Sequence, residues 1–228
     1  MISAKFYQFD KETSEKIITN CRLNKLTVQG VLCVAVMNGL LSSQKHDFST
    51  SNKFISLVPC NMRASISDSL TNDDLLCASA GLTVIQDVSS DSTLMSLASD
   101  VSLNLKKLID KKEGIKWWTK LKNSIPIQPY SIMSSSIGNI SLEESLLKNI
   151  KINDVRFMGG ASSVPENTAS VMTHIFTFNG RLTLTFCFTY PVLSENFADE
   201  FVKHELDVFK FFSSNSNKET TLNDFIKK

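Results

Sequence analysis

Three histidines are the side chains of this sequence that could act as a general base near neutral pH: His46, His174 and His204. An unperturbed imidazole titrates near pH ~6.5, so it can take a proton from an attacking hydroxyl, amine or thiol. His46 stands beside Asp47 in a polar stretch and His204 lies on a predicted helix surface, so we expect both to be solvated. His174 alternates with large aromatic residues in a predicted strand, which favours a buried, hydrogen-bonded histidine over a reactive one.

Polar side chains also stand at the ends of two predicted strands. Asn61 and Arg63 end the first, and a run of serines that includes Ser135 and Ser136 precedes Gly138 at the end of the second. A strand-end arginine most simply bonds nearby carbonyls or a carboxylate, and a serine-glycine sequence most simply forms a turn. The serines could be nucleophiles, but such a serine needs an adjacent base, and no histidine is near them in sequence.

The cysteines show no spacing that is typical of a metal or redox site. They are five in number: Cys21, Cys33, Cys60, Cys77 and Cys187. An odd number of widely spaced cysteines predicts small buried apolar side chains in a reducing compartment. We therefore expect a cytoplasmic protein without a metal centre.

The bulk composition excludes several classes of function. The chain has 228 residues, 24 basic and 23 acidic, and a net charge of +1. The sequence has no basic stripe with interleaved aromatic residues, the pattern that would predict nucleic-acid binding. No apolar run has the length of a membrane span, and no apolar segment near the first residues predicts a signal peptide.

The segment from 171 to 190 gives the clearest local structure. Two alternating apolar runs flank Asn179 and Gly180, the residue pair that best predicts a two-residue β-hairpin. With that turn Phe178 pairs with Arg181, and His174 falls opposite Thr185. Both faces of this hairpin are largely apolar, so we expect a sheet that is covered on both sides.

Periodicity predicts the remaining elements. Caps and apolar stripes predict helices over 11–23, 28–41 and 194–212. They also predict a helix that Asp91 or Ser92 caps and that extends to 109. Alternation predicts strands at 2–9, 53–60, 82–85, 130–137 and 150–157, with Gly138 ending the fourth. The predicted fold class is α/β, with a mixed, mostly antiparallel sheet covered by helices.

Four segments also carry a family resemblance. They are an apolar helix–turn–helix at 21–32, a strand ending in Asn-x-Arg at 58–63, a strand end at 135–138, and a strand followed by a helix at 184–201. In this order they resemble the C-terminal half of the chloramphenicol-acetyltransferase-like acyltransferases. The alcohol acetyltransferases and phthiocerol dimycocerosyl transferases are the most similar branch, and condensation domains are more distant. Ser136 stands where that branch has asparagine.

The resemblance implies one lobe of the two-lobed acyltransferase fold, with a tunnel between the lobes. We expect this lobe over 1–212, followed by a polar, mobile tail over 213–228 in which Leu222, Phe225 and Ile226 could dock. In the family, a His-His-x-x-x-Asp-Gly motif in the other lobe supplies the base that activates an alcohol, amine or thiol against an acyl thioester. This sequence has no His-His pair. The chain is therefore expected to be inactive alone, as part of a longer enzyme or as a lobe that has lost catalysis.

The resemblance also implies binding residues, a co-substrate and partners. The expected co-substrate is an acyl-CoA or acyl-carrier thioester, with no tightly bound cofactor. The expected partner is an N-terminal acyltransferase lobe or, through an exposed apolar face, a second copy of the chain. The residues expected to line the tunnel are Asn61, Arg63, Ser135, Ser136, Gly138 and His174.

The sequence is compatible with three functions. The first is the C-terminal lobe of a thioester-dependent O-acyltransferase, and the second is a non-catalytic interaction protein that keeps the same fold. The third, a self-sufficient enzyme using a serine or His174, is disfavoured because no placed base is visible.

Overall fold

A six-stranded open sheet with strand order β1-β6-β5-β4-β2-β3 organises the computed structural model of the chain. The structure describes residues 2–44, 52–71, 73–123, 132–141, 150–159, 170–214 and 218–226. The strands are β1 (Ile2–Gln8), β2 (Asn52–Asn61), β3 (Ser79–Val88), β4 (Ile132–Ile140), β5 (Val171–Phe178) and β6 (Arg181–Thr189). The helices are α1 (Lys11–Leu23), α2 (Val28–Ser43), α3 (Arg63–Ile66), α4 (Leu94–Asp110), α5 (Glu113–Lys122), α6 (Glu195–Ser213) and α7 (Leu222–Ile226).

The sheet is mixed and mostly antiparallel, which confirms the predicted α/β class. Strand β6 pairs antiparallel with β1 and β5, and β2 pairs antiparallel with β3. Strand β4 pairs in parallel with β5 and with β2.

The hairpin has the predicted register and turn. Phe178 pairs with Arg181, and His174 pairs with Thr185. Asn179 and Gly180 have φ values of 50° and 75°, the positive pair that a type I′ turn requires.

The main core lies between one face of the sheet and the helices α1, α2, α4 and α6. Ile175, Leu184 and Phe186 of the hairpin are fully buried in this core. Helix α2 packs against α6, α4 and β4, which explains why its sequence is apolar nearly all round. Removing the ring of Phe186 would leave a cavity and cost about 3–5 kcal/mol of stability.

The N-caps of the helices agree with the sequence-based predictions except at α4. The side chains of Asp10, Thr27 and Ser194 cap α1, α2 and α6 by accepting bonds from backbone N–H groups. The prediction that Asp91 or Ser92 caps α4 was wrong, because Thr93 Oγ1 accepts from the Ser96 N–H at 3.1 Å. Ser92 Oγ instead accepts from the N–H of Ser89 in the preceding turn.

Strands β3 and β4 differ from their predicted bounds. Strand β3 spans Ser79–Val88 rather than 82–85 alone, because it pairs with β2 along its whole length. Strand β4 does not end at Gly138 but continues to Ile140 through an irregularity between Ser136 and Gly138. Gly138 has a φ of 91°, which a side chain would disfavour, so glycine permits this bulge. Residues 130–131 of the predicted strand lie outside the described residues.

The predicted strand at 150–157 is wrong, since residues 150–159 have no regular secondary structure. The segment lies over the sheet face opposite the main core, where it is held by side chains rather than by a strand ladder. The guanidinium of Arg156 lies 5.1 Å from the ring centre of Phe6, and Phe157 meets His174 edge to face at 5.0 Å.

The last helix, α7, returns to the core. Leu222 is fully buried, and Phe225 and Ile226 pack against the main core, so these three residues dock as the sequence allowed. The Leu222 N–H donates to the Ser92 carbonyl at 2.9 Å. Residues 215–217 and 227–228 lie outside the described part of the chain.

No single helix in the described residues is long and apolar enough to cross a membrane. Helices α1 and α2 reach the required length and composition only as a pair, and the two are bent by 107°.

Candidate functional site

A gap opens in the middle of the sheet, between β2 and β4. Among the described residues, these strands pair at Ser56–Ile132 and Leu57–Met133 and nowhere else. Beyond that point β2 stays paired with β3, and β4 stays paired with β5, so the two strands diverge. Pro59 lies where the ladder stops, and proline has no N–H to donate to a neighbouring strand.

A groove of about 720 Å³ occupies this gap. Residues 58–61 of β2 form one wall, and Ser136 of β4 lies across from them. The first turn of α2 and the side chains of α4 complete the lining. Gly30 lets these two helices meet, because a Cβ at this position would come within 2.7 Å of the Ala98 carbonyl oxygen.

The groove combines apolar walls with positive charge. Val58 and Leu105 contribute apolar surface, while Lys25 and Lys106 are exposed lining residues. Cys60 also lines it, but burial raises the pKa of its thiol to about 11. Because the thiolate is the nucleophilic form, this shift disfavours a nucleophilic role for Cys60 near neutral pH. The arrangement suits an extended ligand with an apolar body and an anionic end.

Asn61 and Arg63 act together at the end of β2. The Asn61 Oδ1 accepts from the backbone N–H of Arg63 at 3.1 Å and from its Nη1 at 3.3 Å. The Arg63 Nη2 donates to the carbonyls of Leu76 at 2.6 Å and Asp74 at 3.3 Å. Asn61 therefore lines the groove. Arg63 holds the loop that follows α3 by bonding to its carbonyls, as expected from the sequence for a strand-end arginine.

Ser136 and Ser135 lie on opposite faces of the sheet. Ser136 lines the groove, and its N–H donates to Oε1 of Gln29 at 2.6 Å. Ser135 pairs with His174 of β5 on the face away from the helices. Gly138 lies beyond both, in the exposed bulge of β4.

His174 is buried in the second face of the sheet. It is 4% exposed, and a Cβ on Gly159 would clash with its Nε2. Burial lowers the pKa of His174 to about 4, so the ring is neutral near pH 7. Within the described residues neither ring nitrogen has a hydrogen-bond partner. The ring is also sealed beneath residues 157–159, which argues against a role as an accessible base.

Sequence reasoning missed a buried polar cluster on the helix side of the sheet. Glu205 of α6 is fully buried and its Oε2 accepts from the Thr173 hydroxyl at 3.2 Å. Burial raises the pKa of Glu205 well above its usual value. Its spacing indicates burial, because Glu205 falls four residues after Phe201 and four before Phe209 in the buried stripe of α6.

A second depression lies on the outer side of α6, where α7 returns. It has a volume of about 620 Å³ and is lined by Lys203, His204 and Phe225 among others. None of the residues that the sequence singled out for tunnel lining reaches it. His204 is half-buried there rather than fully solvated, and its carbonyl accepts from Asn38. His46 lies outside the described residues.

The described residues contain no group of three or more His, Cys, Asp or Glu side chains that could hold a metal ion. Asn61 and Ser136 meet at the groove, whereas Ser135 and His174 meet on the other face. The groove residues Gln29, Lys25 and Lys106 carried no sequence signal.

Solved structures share this fold at low sequence identity. The polyketide synthase associated protein 5 from Mycobacterium tuberculosis matches with a TM-score of 0.66 and 10% identity, covering 93% of this chain and 51% of that chain. The condensation domain of the Monacolin K polyketide synthase MokA matches with a TM-score of 0.67 and 12% identity, covering 97% and 49%. The trichothecene 15-O-acetyltransferase TRI3 from Fusarium sporotrichioides matches with a TM-score of 0.63 and 12% identity, covering 92% and 47%.

The chain thus spans about half the length of these structures. A comparison with curated proteins found no significant match. The sequence profile of the phthiocerol/phthiodiolone dimycocerosyl transferase C-terminus matches residues 2–187. The match covers most of the 228 residues and agrees with the resemblance carried by the sequence segments. The chain belongs to the phthiocerol/phthiodiolone dimycocerosyl transferase C-terminus family, with the fold of the condensation domains and acetyltransferases.

Proposed function

We propose that this chain is the tunnel-lining, C-terminal lobe of an enzyme that transfers an acyl group from a thioester to an alcohol. The base that activates the alcohol would come from an N-terminal lobe. The observation that carries the proposal is the groove between the diverging strands β2 and β4, in a chain that belongs to this family.

The groove has features that an acyl-CoA or acyl-carrier arm requires. A pantetheine arm is an extended chain that contains amide groups, so it can bond to the free edge of a strand. Residues 58–60 of β2 line the groove where β2 has diverged from β4. Lys25 and Lys106 would attract the phosphate at the other end of the arm. Asn61 and Ser136 offer polar contacts along the way.

Among the described residues, none that lines the groove is a candidate base. General-base catalysis needs a proton acceptor within hydrogen-bond reach of the reacting group. The sequence contains no His-His-x-x-x-Asp-Gly motif, and His174 is buried on the opposite face of the sheet. The two lobes would therefore have separate roles: this lobe holds the thioester, and the other lobe supplies the proton transfer.

Two experiments test the proposal. The first is to sequence the transcript upstream of the codon for Met1 and search for the His-His-x-x-x-Asp-Gly motif. The second follows thiol release from acetyl-CoA with a simple alcohol, using this chain alone and then joined to the recovered upstream segment. We expect turnover only in the joined protein. An interaction protein that has kept the fold would give no upstream motif and no CoA binding.

A further inference from the structure

The edge of β4 that faces the gap does not lack hydrogen-bond partners. A buried strand edge without a neighbour would leave backbone groups unpaired, which is costly. Here a side chain takes the place of the missing strand. Gln29 Nε2 donates to the Ser134 carbonyl at 3.3 Å, and Gln29 Oε1 accepts from the Ser136 N–H at 2.6 Å.

These two bonds repeat the pattern of a parallel sheet. In a parallel pair, one residue donates its N–H to the carbonyl before its partner and accepts from the N–H after it. The carboxamide of Gln29 makes both bonds around Ser135. We infer that the side-chain amide of Gln29 acts as a surrogate strand residue, which satisfies the free edge of β4 and holds the groove open.

Neighbouring contacts fix the carboxamide in this orientation. Its Nε2 also donates to the Ser134 hydroxyl at 3.0 Å and contacts the Cys33 sulfur at 3.3 Å. Oxygen and nitrogen cannot be exchanged here, because the Ser136 N–H needs an acceptor. The Thr27 cap begins α2 just before Gln29 and so places this side chain against β4.

A separate feature of each strand therefore prevents β2 and β4 from pairing here. Pro59 removes a donor from β2, and Gln29 occupies the donor and acceptor of β4. Gln29 also lines the groove that a ligand could enter. This makes Gln29 a positioning residue. The identity of that ligand rests on the proposed function, whereas the hydrogen bonds to β4 do not.

The first test uses the unaltered protein. In protein labelled with ¹⁵N and ¹³C, the bond should give a scalar coupling between the Ser136 amide nitrogen and the side-chain carbonyl carbon of Gln29. Couplings across the β5–β6 ladder serve as the internal control for sensitivity. If the ladder couplings are seen and the Gln29–Ser136 coupling is not, the inference is wrong.

The second test compares Gln29→Leu with Gln29→Glu. Leucine removes both bonds, so exchange of the Ser136 amide with solvent should rise about tenfold or more, because within the described residues Gln29 Oε1 is the acceptor for the Ser136 N–H. Glutamate keeps the acceptor, so Ser136 should stay within about threefold of the wild-type rate. The Ile175 amide, in the buried β5–β4 pair, should not change in either variant. Equal Ser136 exchange in wild type and Gln29→Leu would overturn the inference, as would equal loss of protection in both variants.

Titration with CoA separates this inference from the proposed function. If Ser136 depends on Gln29 but wild-type protein does not bind CoA, the surrogate strand stands and the thioester site is wrong. If CoA binds, we expect Gln29→Leu to weaken binding more than Gln29→Glu does. Equal CoA affinity in all three proteins would contradict the positioning role.

Discussion

Ser135 and His174 are direct partners across the parallel β4–β5 pair, on the sheet face away from the groove. The two residues of the predicted tunnel lining that most resemble a nucleophile and a base are therefore neighbours. No hydrogen bond joins them among the described residues, and the ring is buried against Phe157 and Gly159. Proximity alone does not make a catalytic pair, because the base must also be accessible and able to bind a proton.

The stability of the protein should decrease in acid because His174 takes up a proton more readily in the unfolded chain. Its pKa is about 4 in the folded protein, below the usual 6.5, so the unfolded chain binds more protons between these values. The free energy of unfolding should decrease as the pH falls from 6.5 towards 4, by up to about 3 kcal/mol from this group. Urea unfolding of wild type and His174→Leu across this range measures the effect.

The difference in unfolding free energy between the two proteins should change with pH between 4 and 6.5 and become independent of pH above neutrality. His204→Gln is the control, since His204 is half-buried and should contribute less. Parallel curves for wild type and His174→Leu would contradict the buried, neutral state of His174.

Glu205 should act in the opposite direction. Its raised pKa means that the folded protein holds a proton that the unfolded chain releases above pH 4.5. The stabilising effect of this proton is present in acid and is lost as the pH rises. Glu205→Gln imitates the neutral carboxyl and keeps an acceptor for Thr173, so it should be more stable than wild type at pH ~8 and nearly equal at pH ~4.

Glu200→Gln, an exposed residue of the same helix, is the matched control and should change little. Thermal unfolding of wild type and both variants at the two pH values measures the effect. A Glu205→Gln variant that is less stable than wild type at the higher pH would contradict a protonated, buried Glu205.

Arg63 should stabilise the loop after α3 rather than a ligand. Arg63→Ala removes its bonds to the carbonyls of Asp74 and Leu76, so the segment 67–78 should be cleaved faster by a protease. Global stability should fall by only about 1 kcal/mol, as expected for bonds at a partly exposed site. Arg22→Ala, at the exposed end of α1, is the control. Loss of CoA affinity without faster cleavage would instead make Arg63 a binding residue.

Lys106 and Lys107 form a matched pair for the charge of the groove. Both are exposed on α4, but only Lys106 lines the groove. If a CoA phosphate binds there, Lys106→Ala should weaken CoA binding about threefold at low salt, as expected for one exposed ionic contact. Added salt should reduce the difference. Equal weakening by Lys107→Ala would indicate non-specific attraction rather than a phosphate contact at the groove.

The parts of the fold that the sequence predicts well depend on local signals. The turn at Asn179 and Gly180 needs positive φ values, and Thr27 and Ser194 are favoured N-caps with apolar stripes after them. The segment 150–159 shows the limit of such reasoning. Its residues alternate like a strand, but they pair with no strand among the described residues, and side-chain contacts with Phe6 and His174 hold the segment instead.

The candidate site was harder to predict because it depends on distant residues. The divergence of β2 from β4 is a property of two strands, and neither strand shows it alone. Gln29 and Ser136 are 107 positions apart, and a glutamine in the first turn of a helix is ordinary. Asn61 and Ser136 were selected from the family resemblance, which carried information on long-range contacts that periodicity does not contain.

The most direct test of the proposed thioester site is a titration of the chain with acetyl-CoA, followed by amide chemical shifts and by thiol release. We expect saturable shifts at Cys60, Asn61 and Ser136, and intact acetyl-CoA at the end, because no histidine or carboxylate lines the groove among the described residues. Shifts that centre on His174 instead, or thiol release that His174→Ala abolishes, would contradict the account.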